Sequence, residues 1–114
     1  METLIIEYRV ISRTELRKKI ERRDVDHLWN VLSREAFSSK ENLPLSQHVP
    51  LETVLHRPLP ARKNAAVILY SAGPRCTQAK QAAEKLKSLG YENVSVYEGG
   101  LEDWTGAGLP LVTI

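Results

Sequence analysis

The chain has 114 residues, 42% of them hydrophobic, with 16 basic and 14 acidic side chains and a formal charge of +2. That length supports one domain, spanning residues 1–114, and so small a charge excess without a dense basic block argues against a nucleic-acid partner. No apolar run approaches the ~20 residues of a membrane span, Met1-Glu2-Thr3 lacks the basic start of a signal peptide, and a lone cysteine cannot close an internal disulfide, so the expectation is a cytoplasmic protein with no membrane partner and with Cys76 as a free thiol.

Residues 4–11 are β-rich and partly alternating, which predicts a short first strand. Ser12-Arg13-Thr14-Glu15 has the spacing of a capping box, and Leu16 and Ile20 fall on one face of a helix expected over residues 13–23. The cations Arg17, Lys18, Lys19, Arg22 and Arg23 read as its solvated face. Residues 25–32, with Leu28, Trp29, Val31 and Leu32, suit a buried strand, and residues 33–40 a short helix carrying Ala36 and Phe37. Residues 41–50 read as loop with a brief extended piece near Val49. One or two helical turns over residues 51–57 are closed by Pro58 and Pro60.

Residues 65–70 are almost unbroken apolar sequence, the pattern of a strand covered on both faces at the centre of a parallel sheet. A helix follows over residues 77–89, opening at Cys76, with an apolar stripe of Ala79, Ala82, Ala83, Leu86 and Leu89 and with Gly90 as its stop. Residues 94–97 form another strand, Gly99-Gly100 a turn, and residues 101–104 a last helical turn. Alternation at this spacing predicts an α/β domain with a mostly parallel sheet, whose ligands bind at the carboxyl ends of the strands. Ser71 to Cys76 sits at that end.

A helix start offers unpaired N–H groups and a partial positive charge, and both favour the thiolate, the reactive form of cysteine. The loop Ser71-Ala72-Gly73-Pro74-Arg75 can turn backbone amides of Gly73, Arg75, Cys76 and Thr77 into a cradle for an anion, with Arg75 as a cation beside the thiol. The competing reading packs Cys76 as a small apolar side chain, and Ser71 is either a hydroxyl donor in the cradle or a small residue ending the strand. His27, His48 and His56 are scattered without metal-ligand spacing. No metal or organic cofactor is expected.

The second half of the chain resembles the rhodanese-like family. The likeness is carried by the strand, loop and helix just described, by Leu89-Gly90-Tyr91-Glu92-Asn93-Val94, by Gly99-Gly100-Leu101-Glu102-Asp103-Trp104 and by Ala107-Gly108-Leu109-Pro110. The family's Asp-Val-Arg segment is Asn30-Val31-Leu32 here, and its His-Ile-Pro-Gly-Ala segment is Asn42-Leu43-Pro44-Leu45-Ser46. The position directly after the central strand, where the family places its cysteine, is Ser71, and Cys76 matches the second cysteine of a subgroup with a longer loop.

The resemblance implies a single α/β rhodanese-like domain whose central sheet is flanked by helices on both faces. It further implies sulfane-sulfur transfer through a Cys76 persulfide, with Ser71, Ala72, Gly73, Pro74, Arg75 and Thr77 around a small anionic donor such as thiosulfate. A thiol or a partner protein would then accept the sulfur. The alternative is a catalytically inactive module with a protein-binding or regulatory role. A phosphatase of related fold needs an arginine six residues after its cysteine, where this chain has Ala82, and a dithiol redox role needs a second cysteine.

Overall fold

The computed structural model describes residues 8–57, 59 and 61–114. Five strands form one sheet in the order β1-β5-β4-β2-β3, and every pair in it is parallel. They are β1 (Arg9–Val10), β2 (His27–Asn30), β3 (Gln47–His48), β4 (Ala66–Tyr70) and β5 (Asn93–Tyr97). The helices are α1 (Arg13–Glu21), α2 (Leu51–His56), α3 (Gln78–Ser88) and α4 (Gly100–Gly106). No helix among the described residues is long and apolar enough to cross a membrane.

Two-residue alternation along the strands divides the core. Trp29, Val67, Leu69, Val94 and Val96 face α2 and α3, meeting Val54, Ala79, Ala82, Ala83 and Leu86. Leu28, Ile68, Tyr70 and Tyr97 face the other way, meeting Leu16 of α1 and Trp104 of α4. Both faces of β4 are therefore covered, which is why its sequence is a continuous apolar run. The chain leaves β4 toward the α3 face, whereas it leaves β5 toward α4 on the opposite face. The segment after β2 also sends Leu43 to that opposite face. This divergence makes the carboxyl end of β4 the kind of switch point at which open α/β sheets place their ligands.

Local chemistry sets the element ends. The Ser12 hydroxyl accepts the Glu15 N–H at 3.1 Å, capping α1. Its far end is turned by Arg23, at φ 54°. The first strand is confined to Arg9–Val10 among the described residues, and residues 4–7 of the expected strand lie outside them. At the end of α3 the Gly90 N–H donates to Lys87 C=O and the Tyr91 N–H to Leu86 C=O, each at 3.0 Å, with Gly90 at φ 93°. This pairing closes the helix through a left-handed glycine. The chain therefore turns before Leu89 can reach the core. Leu89 is 40% exposed, and Tyr91, 5% exposed, takes the place expected for it.

Residues 33–40 are not a helix. The Ser33 C=O accepts both the Ala36 and Phe37 N–H groups, making one turn. Buried Asn42 captures the Ser38 and Ser39 carbonyls through Nδ2 at 2.9 and 3.1 Å, fixing the chain that follows this single turn. Asn42 also accepts from Asn30 Nδ2 at 3.0 Å, and Asn30 Oδ1 accepts the Leu32 N–H. The Tyr70 hydroxyl joins the same region to β4, at 2.8 Å from Ser46 Oγ and accepting the Leu43 N–H at 3.2 Å. Burial raises the Tyr70 pKa beyond the lowering effect of these hydrogen bonds, so the group stays a neutral phenol.

The two leucines flanking the α3 unit provide a test. Leu69→Ala empties a site of 0% exposure and should lower unfolding free energy by about 2–5 kcal/mol. Leu89→Ala should change it by no more than about 0.5 kcal/mol. Urea denaturation of both variants measures the contrast.

Candidate functional site

The candidate site begins where β4 ends. Val31 N–H donates to Tyr70 C=O at 2.9 Å, the last rung between β2 and β4. Beyond that rung the chain forms the loop of residues 71–77. Ser71 is 2% exposed, Gly73 is buried, and Ala72, Pro74, Arg75 and Thr77 are exposed.

Cys76 is half-buried in a turn that precedes α3, not on the helix itself. Its N–H donates to Gly73 C=O at 3.0 Å, and α3 starts at Gln78 with Thr77 as its cap residue. The displacement has a physical cause. Pro74 has no N–H, and the Gly73 C=O closes a tight turn onto Cys76 before helical bonding begins with Gln81 N–H on Thr77 C=O. The Cys76 amide is thereby used inside the loop and does not join the expected cradle.

Burial pushes the Cys76 thiol pKa up, but hydrogen bonding pulls it further down, so the net direction is below the ordinary value. The groups responsible are the Ser71 hydroxyl and the backbone of Gln78 and Ala72. The protonated thiol donates to Gln78 Oε1 at 3.7 Å. The structure thus gathers Ser71, Ala72 and Cys76 of the sequence expectation, and adds Gln78, which it did not include. A residue two positions after a pre-helical cysteine has a first-turn N–H free of helical partners, and that is the local signal for it. Arg75 makes no ion pair among the described residues.

Helix α4 closes the loop from outside. Leu101 N–H donates to Ser71 C=O at 3.1 Å and Glu102 N–H to Ala72 C=O at 2.8 Å. Beside this contact lies a shallow groove of about 350 Å³ lined by Arg13, Pro74, Glu102, Asp103 and Gly106. In it Arg13 pairs with Asp103 at 3.0 Å. Asp103 also accepts the Tyr97 hydroxyl. Lys80, in the first turn of α3, lies 3.6 Å from Glu98. The histidines stay apart from the thiol chemistry. His48 stacks on Phe37 with its Nε2 at 2.7 Å from Leu32 C=O, and His27 tilts against Trp29. No group of three or more His, Cys, Asp or Glu side chains gathers as a metal site among the described residues.

The sequence profile of the rhodanese-like domain matches residues 12–107. No curated protein sequence matches this chain significantly. Among solved structures, a full-length protein from Lactobacillus plantarum superposes with a TM-score of 0.80 at 20% identity, over 92% of this chain and 88% of that one. The rhodanese-like domain of an Anabaena protein gives 0.77 at 24% identity, over 95% and 81%. A human single-domain sulfurtransferase gives 0.70 at 19% identity, over 88% and 97%. At these identities the structural likeness is one of fold, and the profile match, covering most of the chain, shows the family. On the strength of that match the chain belongs to the rhodanese-like domain family.

Proposed function

We propose that this protein moves sulfane sulfur through a persulfide on Cys76. The observation that carries this reading is the setting of the only cysteine. It sits half-buried at the foot of α3, its thiolate favoured by the Ser71 hydroxyl and by the backbone of Gln78 and Ala72. A side chain serving only to fill the core has no need of three donors to its anion. The human relative of known fold is itself a single-domain sulfurtransferase.

With thiosulfate, the Cys76 thiolate attacks the sulfane sulfur. A new S–S bond forms, the old one breaks, and sulfite leaves with the bonding pair. The product is Cys76–S–S⁻, and two minus charges leave on sulfite, so charge balances. An acceptor thiolate then attacks the outer sulfur, carries it away as its own persulfide, and Cys76 departs as thiolate. Donors that stabilise the first anion serve the second. Exposed Arg75 draws the anionic donor toward the loop. Both the lone thiol and this chemistry fit a reducing compartment such as the cytoplasm.

A second reading, a non-catalytic module with a binding role, is favoured by Ser71 in the position directly after the strand. One experiment separates the two. Incubation with thiosulfate or polysulfide should add one sulfur atom to the wild-type mass and none to Cys76→Ser. An unmodified wild type would leave the binding module. Ser71→Ala, by deleting a donor to the thiolate, should raise the pH midpoint of Cys76 alkylation by about one unit. Arg75→Ala should raise KM for thiosulfate about fivefold, or ~1 kcal/mol, with kcat near wild type in steady-state assays.

A further inference from the structure

The two glycines ahead of α4 make room for different neighbours. A Cβ on Gly99 would stand 2.5 Å from Asp103 Cβ. Gly99 thus lets Asp103 fold back to hold the Tyr97 hydroxyl and the Arg13 guanidinium. A Cβ on Gly100 would stand 2.4 Å from Ser71 O, 2.9 Å from Gly73 N and 3.0 Å from Ala72 C. All three atoms are backbone of the loop that leads to Cys76. Gly100 also has φ 58°, a conformation that L side chains seldom adopt.

This approach has a consequence for peptide orientation. In a trans peptide the C=O and N–H point in opposite directions, and the chain contains no cis peptide among the described residues. The Ser71 C=O is held from the α4 side by Leu101 N–H, and the Ala72 C=O by Glu102 N–H. The N–H of Ala72 shares a peptide plane with the Ser71 C=O, so it must point away from α4. The loop it belongs to is tied to Cys76 by the Cys76 N–H on Gly73 C=O at 3.0 Å, and hydrogen bonding from the Ala72 backbone is one of the effects that lower the thiol's pKa.

We propose that Gly100, with the Leu101 and Glu102 amides, is a positioning element of the thiol site. It lets α4 approach closely enough to lock the Ser71–Ala72 peptide with its N–H turned to Cys76. The proposal rests on Cys76 being the working group, and its test reads the thiolate directly, without a sulfur donor.

Gly100→Ala must part α4 from the loop, because the atoms in the way are backbone on both sides. Gly90→Ala is the matched control. It has φ 93° and nothing within 4 Å of an added Cβ, so it suffers the backbone strain without touching the loop. Glu102→Pro replaces the amide hydrogen bonded to Ala72 with a ring carbon and removes the Glu102 carboxylate, at an exposed first-turn position whose N–H has no helical acceptor. Loss of the Glu102 carboxylate would by itself lower a neighbouring thiol's pKa, so a rise reports the amide.

Alkylation of the lone cysteine is followed against pH, beside thermal melting of each variant. Gly100→Ala and Glu102→Pro should raise the midpoint by about one unit, and Gly90→Ala should lose stability with its midpoint unmoved. Folded Gly100→Ala or Glu102→Pro with a wild-type midpoint would overturn the proposal, as would an equal shift in Gly90→Ala. If Gly100→Ala does not fold, Glu102→Pro decides. Shifts as expected in a protein that forms no persulfide would uphold this inference and remove the sulfur-transfer reading.

Discussion

The candidate site depends on two carbonyl groups being held from behind. Ser71 and Ala72 leave the sheet with no strand partner, and their carbonyls would otherwise lack a protein donor. The first-turn amides of α4 take both. Those amides have no helical acceptors of their own, so the pairing satisfies two sets of orphan groups at once. It is rigid because α4 is itself anchored. Trp104 is buried, with Nε1 donating to Pro110 C=O at 2.8 Å and its ring edge-on to Tyr97. Asp103 adds its ties to Tyr97 and Arg13. Burial, and then the Asp103 carboxylate, hold the Tyr97 phenol neutral well above its ordinary range, so this tie persists across any ordinary working pH.

Two kinds of stabilisation compete for the thiolate, and their magnitudes differ. A hydrogen bond to a charged group is worth about 1.5–3 kcal/mol where water is partly excluded. A cation on an exposed side chain works through high dielectric and contributes about 1 kcal/mol or less. Arg75 is exposed, so on the sulfur-transfer reading its part would be recruitment. The neutral donors Ser71, Gln78 and Ala72 set the acidity of the thiol. On that reading the division would keep the positive charge away from the sulfur, where an arriving anion meets it first and a departing one is not held.

How far the sequence could be read followed the range of the interactions concerned. β4 and α3 were legible because their patterns arise from burial on two faces or one, and Ser12 and Gly90 marked helix ends by local bonding. Residues 33–40 have a composition suited to a helix but are held by distant partners, with Ile114 N–H on Ser39 C=O and Asn42 tied to Asn30 and Val112. A local pattern cannot announce those partners. Leu89 fitted the stripe by period but lay past the turn that Gly90 imposes. The loop of residues 71–77 was visible as a loop with a cysteine. The groups that orient it come from residues 100–102, on a different element and some thirty positions away, and nothing in the loop's own residues encodes them. The paired glycines were the trace of that contact, recognisable as a motif but not as a close approach.

Serine at position 71 changes what a persulfide on Cys76 can do. A thiol in that place could attack the inner sulfur of Cys76–S–S⁻, closing an internal disulfide and expelling sulfide. A hydroxyl donates to the anion but does not attack it under the same conditions, because an alcohol has no appreciable alkoxide near neutral pH. The bound sulfur would therefore wait for an external acceptor. Ser71 and the α4 amides in this way act on the same species from two sides. The amides turn Ala72 N–H onto the charge, and the hydroxyl adds a donor while closing the intramolecular exit. On the sulfur-transfer reading, serine rather than cysteine directly after the strand gives a site that holds its cargo where a dithiol site could discharge itself.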